Sequence, residues 1–335
     1  MGRKITMQDI AKQLNISVNA VSLALNDKEG VSNELRHQIL EVAVVLNYPI
    51  KKLSVKKTIK NRTLIILFDG RKINDIYFYT DLINEIRKEA EIFGYRTITE
   101  FYDYESFRIP KAILDYHVAG VITLGNVTKE MIYSLKLYIQ EIICVNHSIS
   151  NFNIDTVIAN DFLGGYISCE YLIKKGIRNI GFIGEISISN NYKKRYKGYL
   201  QCLKEHFKEE QENPIHLIKG IEEATADKDY QFIQNILSTY PQMPEAFICA
   251  NDCYASVLIK ALQYNGYRIP QDIKIISFDN TALSRMVTPA LTSLEINRKV
   301  LAEKTIRRIH KMIHEPTTPE TTMLNLQIIE RESTK

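Results

Sequence analysis

Three polar residues follow or end apolar runs: Asn146 after Ile142–Val145, Asn251 after Phe247–Ala250, and Asp279 at the end of Ile273–Phe278. Ligands of open parallel sheets bind beyond the carboxyl ends of the strands, so these three are candidates to meet one ligand. Amide and carboxylate acceptors, a forked guanidinium donor and an aromatic face together suit a polyhydroxylated molecule. Arg195 and the Tyr77/Phe78 pair complete that set. A second group lies near the start of the chain. Val18, Asn19, Ser22 and Leu23 recur at i, i+1, i+4 and i+5 and form one outward helical face once the core positions are removed. An asparagine there can bond adenine in bidentate fashion, and a valine can pack on a thymine methyl. Signals of catalysis are weak: there is no Gly-x-Ser-x-Gly elbow, no Gly-x4-Gly-Lys-Ser/Thr loop and no evident acid pair or Ser/His/Asp set. His310 and His314 stand at i,i+4 without an adjacent acid pattern and are read as a solvent face. No metal and no cofactor is expected. The five cysteines (Cys144, Cys169, Cys202, Cys249, Cys253) are an odd number, mostly inside apolar runs, and are read as buried free thiols.

The elements that must position these residues fall into two kinds. Up to residue 47 the pattern is helical. Thr6 can cap a first helix, with Asp9 three residues on and Met7, Ile10, Ala11 and Leu14 on its apolar face. Asn15 tolerates the left-handed backbone of a tight turn. Ser17 can cap a second helix with Val21, Ala24 and Leu25 inward. Ser32 can cap a third, with Leu35, Ile39, Val42 and Leu46 inward. Three short helices with a tight turn between the first two make a helix-turn-helix. From Thr63 apolar runs (Leu64–Phe68, Val121–Leu124, Ile142–Val145, Ile180–Ile183, Phe247–Ala250, Ile273–Phe278) alternate with amphipathic helices near 77–94, 162–176, 191–210 and 253–266. That alternation predicts an α/β fold of doubly wound parallel sheets covered on both faces. A stretch of about 270 residues exceeds one comfortable sheet domain, so two similar lobes are expected.

Charge divides the chain at the same place. Residues 1–62 hold 11 Lys/Arg and 5 Asp/Glu, and the remaining 273 residues hold 32 and 34. A small basic module therefore precedes a nearly neutral body, a distribution that suits nucleic acid. Within it, 51–62 has six bases and no acid. No apolar run is long enough to span a bilayer. The start, Met1-Gly2-Arg3-Lys4-Ile5-Thr6, has no signal-peptide core, and the cytoplasm is the expected compartment.

Ile5-Thr6-Met7-Gln8-Asp9-Ile10-Ala11, Ile16-Ser17-Val18-Asn19-Ala20-Val21-Ser22, Ala24-Leu25-Asn26, Gly30-Val31-Ser32 and Leu46-Asn47-Tyr48 together resemble the headpiece of the lactose-repressor/galactose-repressor (LacI/GalR) family. The body, about 63–330, resembles that family's regulatory core. Its matching motifs are Tyr77-Phe78-Tyr79 before the first core helix, Val145-Asn146-His147, Gly181-Phe182-Ile183-Gly184, Arg195 ahead of Gly198-Tyr199, Ala250-Asn251-Asp252, Ser277-Phe278-Asp279-Asn280 and Pro289-Ala290-Leu291-Thr292-Ser293. The chain departs from the family at Leu23, where a basic residue that contacts guanine is common. It departs again after Tyr48, where the usual Ala-Arg-x-Leu hinge signature gives way to a basic stretch.

The resemblance implies a helix-turn-helix headpiece (1–49), a basic hinge (50–62) and a core with the fold of periplasmic sugar-binding proteins (63–335). Its two lobes, about 63–160 with 293–316 and 161–290 with 320–332, would be joined by three crossovers. It implies a sequence-specific DNA-binding transcription regulator, a repressor acting as a homodimer on double-stranded operator DNA, with a small carbohydrate-like effector between the lobes and no membrane partner. Expected DNA contacts are Thr6, Ser17, Val18, Asn19, Ser22, Leu23 and Asn26, with Leu53, Val55 and Lys56 of the linker. Expected effector contacts are Tyr77, Phe78, Asn146, Arg195, Asn251 and Asp279, with Arg195 and Asp279 on opposite walls or edges of one cleft. The alternatives are a solute-binding protein, which the basic headpiece argues against, and a nucleotide-using enzyme, which lacks a phosphate loop.

Overall fold

The computed structural model describes residues 5–26, 28, 30–46, 48, 62–115, 118–207, 219–240 and 242–335. The expected linker contacts Leu53, Val55 and Lys56 lie outside the described residues.

The chain begins with three helices, α1 (Met7–Leu14), α2 (Val18–Leu25) and α3 (Asn33–Val45). Each start is fixed by a side chain that sequence spacing already marks. The Asp9 carboxylate accepts from the Thr6 N–H at 2.8 Å and from its hydroxyl at 2.7 Å. Ser17 Oγ accepts from the Ala20 N–H, and Ser32 Oγ from the Leu35 N–H, both at 3.1 Å. Asn15, with φ 54°, makes the left-handed turn between α1 and α2. Ile10, Ala11, Val21, Ala24, Leu25, Ile39, Leu40 and Ala43 form the buried core of this bundle. Buried Arg36 adds a tie that spacing did not announce. Its guanidinium donates to the carbonyls of Ala24 (3.1 Å) and Lys28 (2.5 Å), satisfying the end of α2 from α3.

From Thr63 strands and helices alternate. The first lobe begins with β1 (Thr63–Asp69), α4 (Ile76–Ile92), β2 (Arg96–Tyr102), α5 (Lys111–Leu114), β3 (Gly120–Leu124), α6 (Lys129–Lys136), β4 (Ile142–Val145) and β5 (Asp155–Ala159). There follow α7 (Asp161–Lys174), β6 (Ile180–Ile183), α8 (Asn190–His206), α9 (Ile221–Ala226), α10 (Tyr230–Leu237), β7 (Ala246–Cys249), α11 (Asp252–Tyr264), β8 (Lys274–Asp279), α12 (Leu283–Met286) and β9 (Thr292–Glu295). The chain ends with α13 (Arg298–His314), β10 (Thr321–Leu324) and β11 (Gln327–Ile329). Two sheets result, ordered β10-β5-β4-β3-β1-β2 and β11-β9-β8-β7-β6. Every pairing is parallel except β11 with β9. The six apolar runs are β1, β3, β4, β6, β7 and β8, and the α/β class expected from their alternation is the one observed.

Two lobe limits differ from expectation. Thr292–Glu295, placed from 293 onward in the first lobe, pairs with β8 in the second sheet. Thr321–Leu324, placed in the second lobe, pairs with β5 in the first. Hydrogen bonding explains both. The buried Asp252 carboxylate accepts the hydroxyls of Ser277 (2.5 Å), Ser293 (2.8 Å) and Thr281 (2.8 Å), so the polar run of β9 is held against β8. Burial pushes that carboxyl above its usual range, against the pull of these donors. On the other side, buried Arg308 of α13 donates to Asp155 at 2.6 Å and to the Thr318 carbonyl at 2.5 Å, which brings the following residues to the edge of β5. The chain therefore passes between the sheets after Ala159, after Glu295 and after Leu324.

Candidate functional site

The carboxyl ends of β1, β3 and β4 in one lobe face the end of β8 and the start of α8 in the other, across a cavity of ≈ 800 Å³. Both lobes line it with polar side chains around the faces of Phe78, Tyr79 and Tyr192. The strand-end residues enter it because the backbone turns sharply there. Asn146, one position past β4, has φ 57°; Asp279 and Asn280 have φ 96° and 46°. Side chains other than glycine pay about 1–3 kcal/mol in this region, and Asn and Asp tolerate it best.

Arg195 sits on the α8 side of the cavity, only 2% exposed. Its Nε donates to Asp161 at 2.8 Å, one Nη to Asp279 at 3.3 Å, and the other to the Ala250 carbonyl. The guanidinium lies 4.3 Å from the Phe278 ring centroid. Burial lowers its proton affinity, but Asp161 and Asp279 more than offset this, so its pKa is raised and it stays charged. One cation thus serves two buried carboxylates. Asp161 has the shorter bond. Burial, reinforced by Asp75 and Asp252, leaves Asp279 well above the usual carboxylate range despite Arg195.

Asn146 is 6% exposed, and its carbonyl oxygen Oδ1 has no hydrogen-bond partner. An unmet buried acceptor costs about 1–3 kcal/mol, and a donor placed in the cavity would relieve that cost. The Asn146 main-chain oxygen accepts from Asn191 Nδ2 of the opposite lobe at 2.7 Å. Asn126 Nδ2 donates to the Ile188 carbonyl at 3.1 Å and Lys194 Nζ to Ser148 Oγ at 2.9 Å, so three bonds clasp the lobes around the cavity. His147 is buried beside Asn146. Its Nδ1 lies 3.1 Å from the Val145 carbonyl and its Nε2 3.4 Å from Thr123 Oγ1, and burial lowers its pKa to about 4.

Phe78, Asn146, Arg195 and Asp279 therefore meet at one cavity, and two expected residues do not. Tyr77 is 40% exposed and lies outside the cavity wall. The aromatic trio falls in the first turn of α4 rather than before it, and successive helical residues point about 100° apart, so Phe78 and Tyr79 face inward and Tyr77 outward. Asn251 is buried behind the wall. Its Oδ1 caps α11 through the Tyr254 N–H at 2.8 Å, and its Nδ2 donates to the Tyr192 hydroxyl at 2.8 Å. Arg195 and Asp279 also correct the expected geometry: they are bonded to each other on one wall instead of facing across it.

Other lining residues were not anticipated. Arg71 makes a forked pair with fully buried Asp69, at 3.1 and 3.0 Å, and stacks 3.7 Å from the Tyr104 ring centroid at the edge of the cavity. Asp69 ends β1, and the strand-end rule that found Asp279 could have found it. Asn191 and Tyr192 lie in the first turn of α8, four and three residues before Arg195, and that proximity is the only local signal for them. Asp161, the other partner of Arg195, carries none.

In the headpiece Ser17, Val18 and Asn19 are exposed at the start of α2, with Val18 at 40%. Ser22 and Leu23 are half-buried, and a Cβ at Gly30 would stand 3.2 Å from Leu23 Cδ1. Thr6 and Asn26 are exposed but engaged. The Thr6 hydroxyl donates to Asp9, and Asn26 Nδ2 folds back on the Ser22 carbonyl at 2.8 Å. Among the described residues no cluster of three His, Cys, Asp or Glu could hold a metal ion, and no helix is long and apolar enough to cross a membrane.

A helix-turn-helix followed by two doubly wound lobes around a polar cleft defines a class of ligand-responsive DNA-binding regulators. Known proteins agree. The family described as bacterial regulatory proteins, lacI family, matches residues 6–49, and the periplasmic binding protein-like domain matches 169–334. The HTH-type transcriptional regulator GalR of Streptococcus thermophilus is 28% identical over 98% of this chain and 99% of its own. Among solved structures, a complex of the transcriptional regulator CelR with cellobiose superposes with TM-score 0.71 at 17% identity, covering 98% of this chain and 99% of that one. The lac repressor dimer bound to operator and the anti-inducer ONPF gives 0.69 at 19%, covering 99% of each. The chain belongs to the lacI family of bacterial regulatory proteins. It is a DNA-binding transcription regulator, in a family of regulators rather than enzymes.

Proposed function

We propose that this regulator is a cytoplasmic homodimeric repressor that reads a partly palindromic operator with α2 and is controlled by a small hydroxylated effector in the cleft. The observation that carries the effector reading is the unpartnered Oδ1 of Asn146 beside the buried Arg195–Asp279 pair, in a cavity walled by both lobes. Asn146 offers a lone pair, Asp279 an acceptor or a carboxyl proton, and Arg195 its remaining N–H groups. Phe78 and Tyr79 supply apolar faces for the carbon skeleton. The cellobiose bound by CelR supports this ligand class. A ligand touching both walls favours one closure of the lobes over another, and the three crossovers transmit that preference as a change in headpiece spacing.

One headpiece reads only a few base pairs, so two half-sites are needed for useful affinity. The operator-bound lac repressor dimer supports that assembly. Val18 and Asn19 are the base-reading residues, and the basic 51–62 stretch meets phosphates. A thermal-shift screen of neutral sugars, sugar acids and sugar phosphates tests the effector class. A ligand at 100 times its Kd adds about 2.7 kcal/mol, and the same ligand must alter operator binding measured by fluorescence anisotropy. A carbohydrate series that moves neither readout contradicts the proposal.

A further inference from the structure

The cavity wall carries more acid than base. Among the described residues that line it, the cations are Arg71 and Arg195, and the carboxyl groups are Asp75, Glu222, Glu223 and Asp279. Each cation is already joined to a carboxylate, Arg71 to Asp69 and Arg195 to Asp161 and Asp279. Lys194 lies off the wall and gives its Nζ to Ser148. The acids come from both lobes. Asp75 immediately precedes α4 in the first, and Glu222 and Glu223 stand in the first turn of α9 in the second. The Glu222 carboxylate accepts a hydrogen bond from the Tyr254 hydroxyl, which fixes its position. The charges of the two lobes meet at the wall tyrosines. Burial, then Asp75 and Asp279, push the Tyr79 hydroxyl well above its usual range. Burial, then Tyr254, Asp75, Glu222 and Asp279, do the same to Tyr192. Tyr192 therefore stands in the negative field of both lobes.

We infer that the cleft selects a cationic hydroxylated effector, one that places an ammonium group between Asp75 of the first lobe and Glu222 of the second. This names the ligand class of the effector site proposed above and rests on that reading. Asn146 supplies an observation independent of the acids. Its Oδ1 is buried at the same wall and accepts no hydrogen bond, so it calls for a donor. A phosphate or carboxylate group brings only acceptors, whereas an ammonium brings three donors and no acceptor. Phe78, Tyr79 and Tyr192 add ring faces, whose negative quadrupole attracts a cation. The start of α8 also opens on the cavity and favours an anion. A helix end contributes only about half a positive charge, less than the carboxylates it faces. The same charges connect binding to closure. Acids from opposite lobes repel as the lobes approach, and a cation between them turns that repulsion into attraction where water screens poorly. The closed arrangement is then the one the ligand prefers.

The test titrates the full chain with matched sugars by calorimetry, with thermal melts of each protein to confirm that it is folded. The cationic set is glucosamine, galactosamine, mannosamine and the β-1,4-linked dimer of glucosamine. The neutral counterparts are glucose, galactose, mannose and cellobiose, and the anions are glucuronate and glucose 6-phosphate. The expected result is that at least one amine binds about tenfold or more tightly than its neutral counterpart. N-acetylation of that amine removes the gain, and neither anion binds as tightly. Asp75→Asn and Glu222→Gln each shrink the gain by about tenfold, because the neutral sugar loses little where the amine loses its counter-charge. The inference is overturned, with the carbohydrate effector reading intact, if sugars bind but no amine gains tenfold over its counterpart, or if an anion binds more tightly than every amine. It is also overturned if the gain survives in both variants. If no sugar of any set binds, the effector reading itself fails and the inference falls with it.

Discussion

The recognition helix and the cleft treat their polar groups in opposite ways. On α2, Val18 and Asn19 stand in water at the start of the helix. In the cleft, Arg195 commits Nε and both Nη atoms to protein partners, with Asp279 among them. The DNA reader is thus a set of tips on a rigid bundle, and its identity can change with little cost to the fold. The effector site is part of the packing of the second lobe, where function and stability cannot be separated.

The sharpest break in that comparison is Arg195→Ala against Asn19→Ala. Removing Arg195 strands Asp161 and Asp279 in the interior and should cost about 3–5 kcal/mol of stability. Removing Asn19 should stay within about 0.5 kcal/mol. Urea unfolding of both variants measures the gap, and equal losses would mean that the cleft pair is not structural. His147 gives a pH-dependent form of the same contrast. Its pKa falls from 6.5 unfolded to about 4 folded, so its neutral form is favoured by folding. That stability is fully present above pH 6.5 and is lost as pH falls towards 4, by up to about 3 kcal/mol. Melts across this window should flatten in His147→Asn relative to the parent chain. An unchanged slope would show that the ring titrates freely.

Smaller effects sharpen the headpiece side. Asn19→Ala should relax discrimination at one base pair by about 1–3 kcal/mol, seen by titrating operator variants. A preference that does not move would reassign the reading face. Ser17→Ala should cost about 1 kcal/mol through the lost cap at the Ala20 N–H, measured on the headpiece transition. A loss near zero would mean that water replaces the hydroxyl there.

How much of this was legible in sequence follows from how local each cause is. Caps act within three residues, so Thr6 with Asp9, Ser17 and Ser32 could be read directly. Six strands are continuous apolar runs and could be read too. β2 and β10 are sheet-edge strands with exposed residues, and β9 buries hydroxyls whose partner, Asp252, lies far away in sequence. Such strands carry no apolar signal. In the cleft, the strand-end rule found Asn146 and Asp279 because it depends on topology alone. It could not tell that Asn251 turns to cap α11, nor that α4 starts early enough to swing Tyr77 outward. The Asp161 partner of Arg195 appears only when the first crossover is folded.

The most direct test of the whole account is anisotropy titration of labelled operator with the parent chain and Asp279→Asn, each with and without saturating effector. The account predicts equal bare-operator affinity for the two proteins, with the effector-induced shift present in the parent and abolished in the variant. A variant that keeps the full shift would contradict the claim that the Arg195–Asp279 wall is where the effector acts.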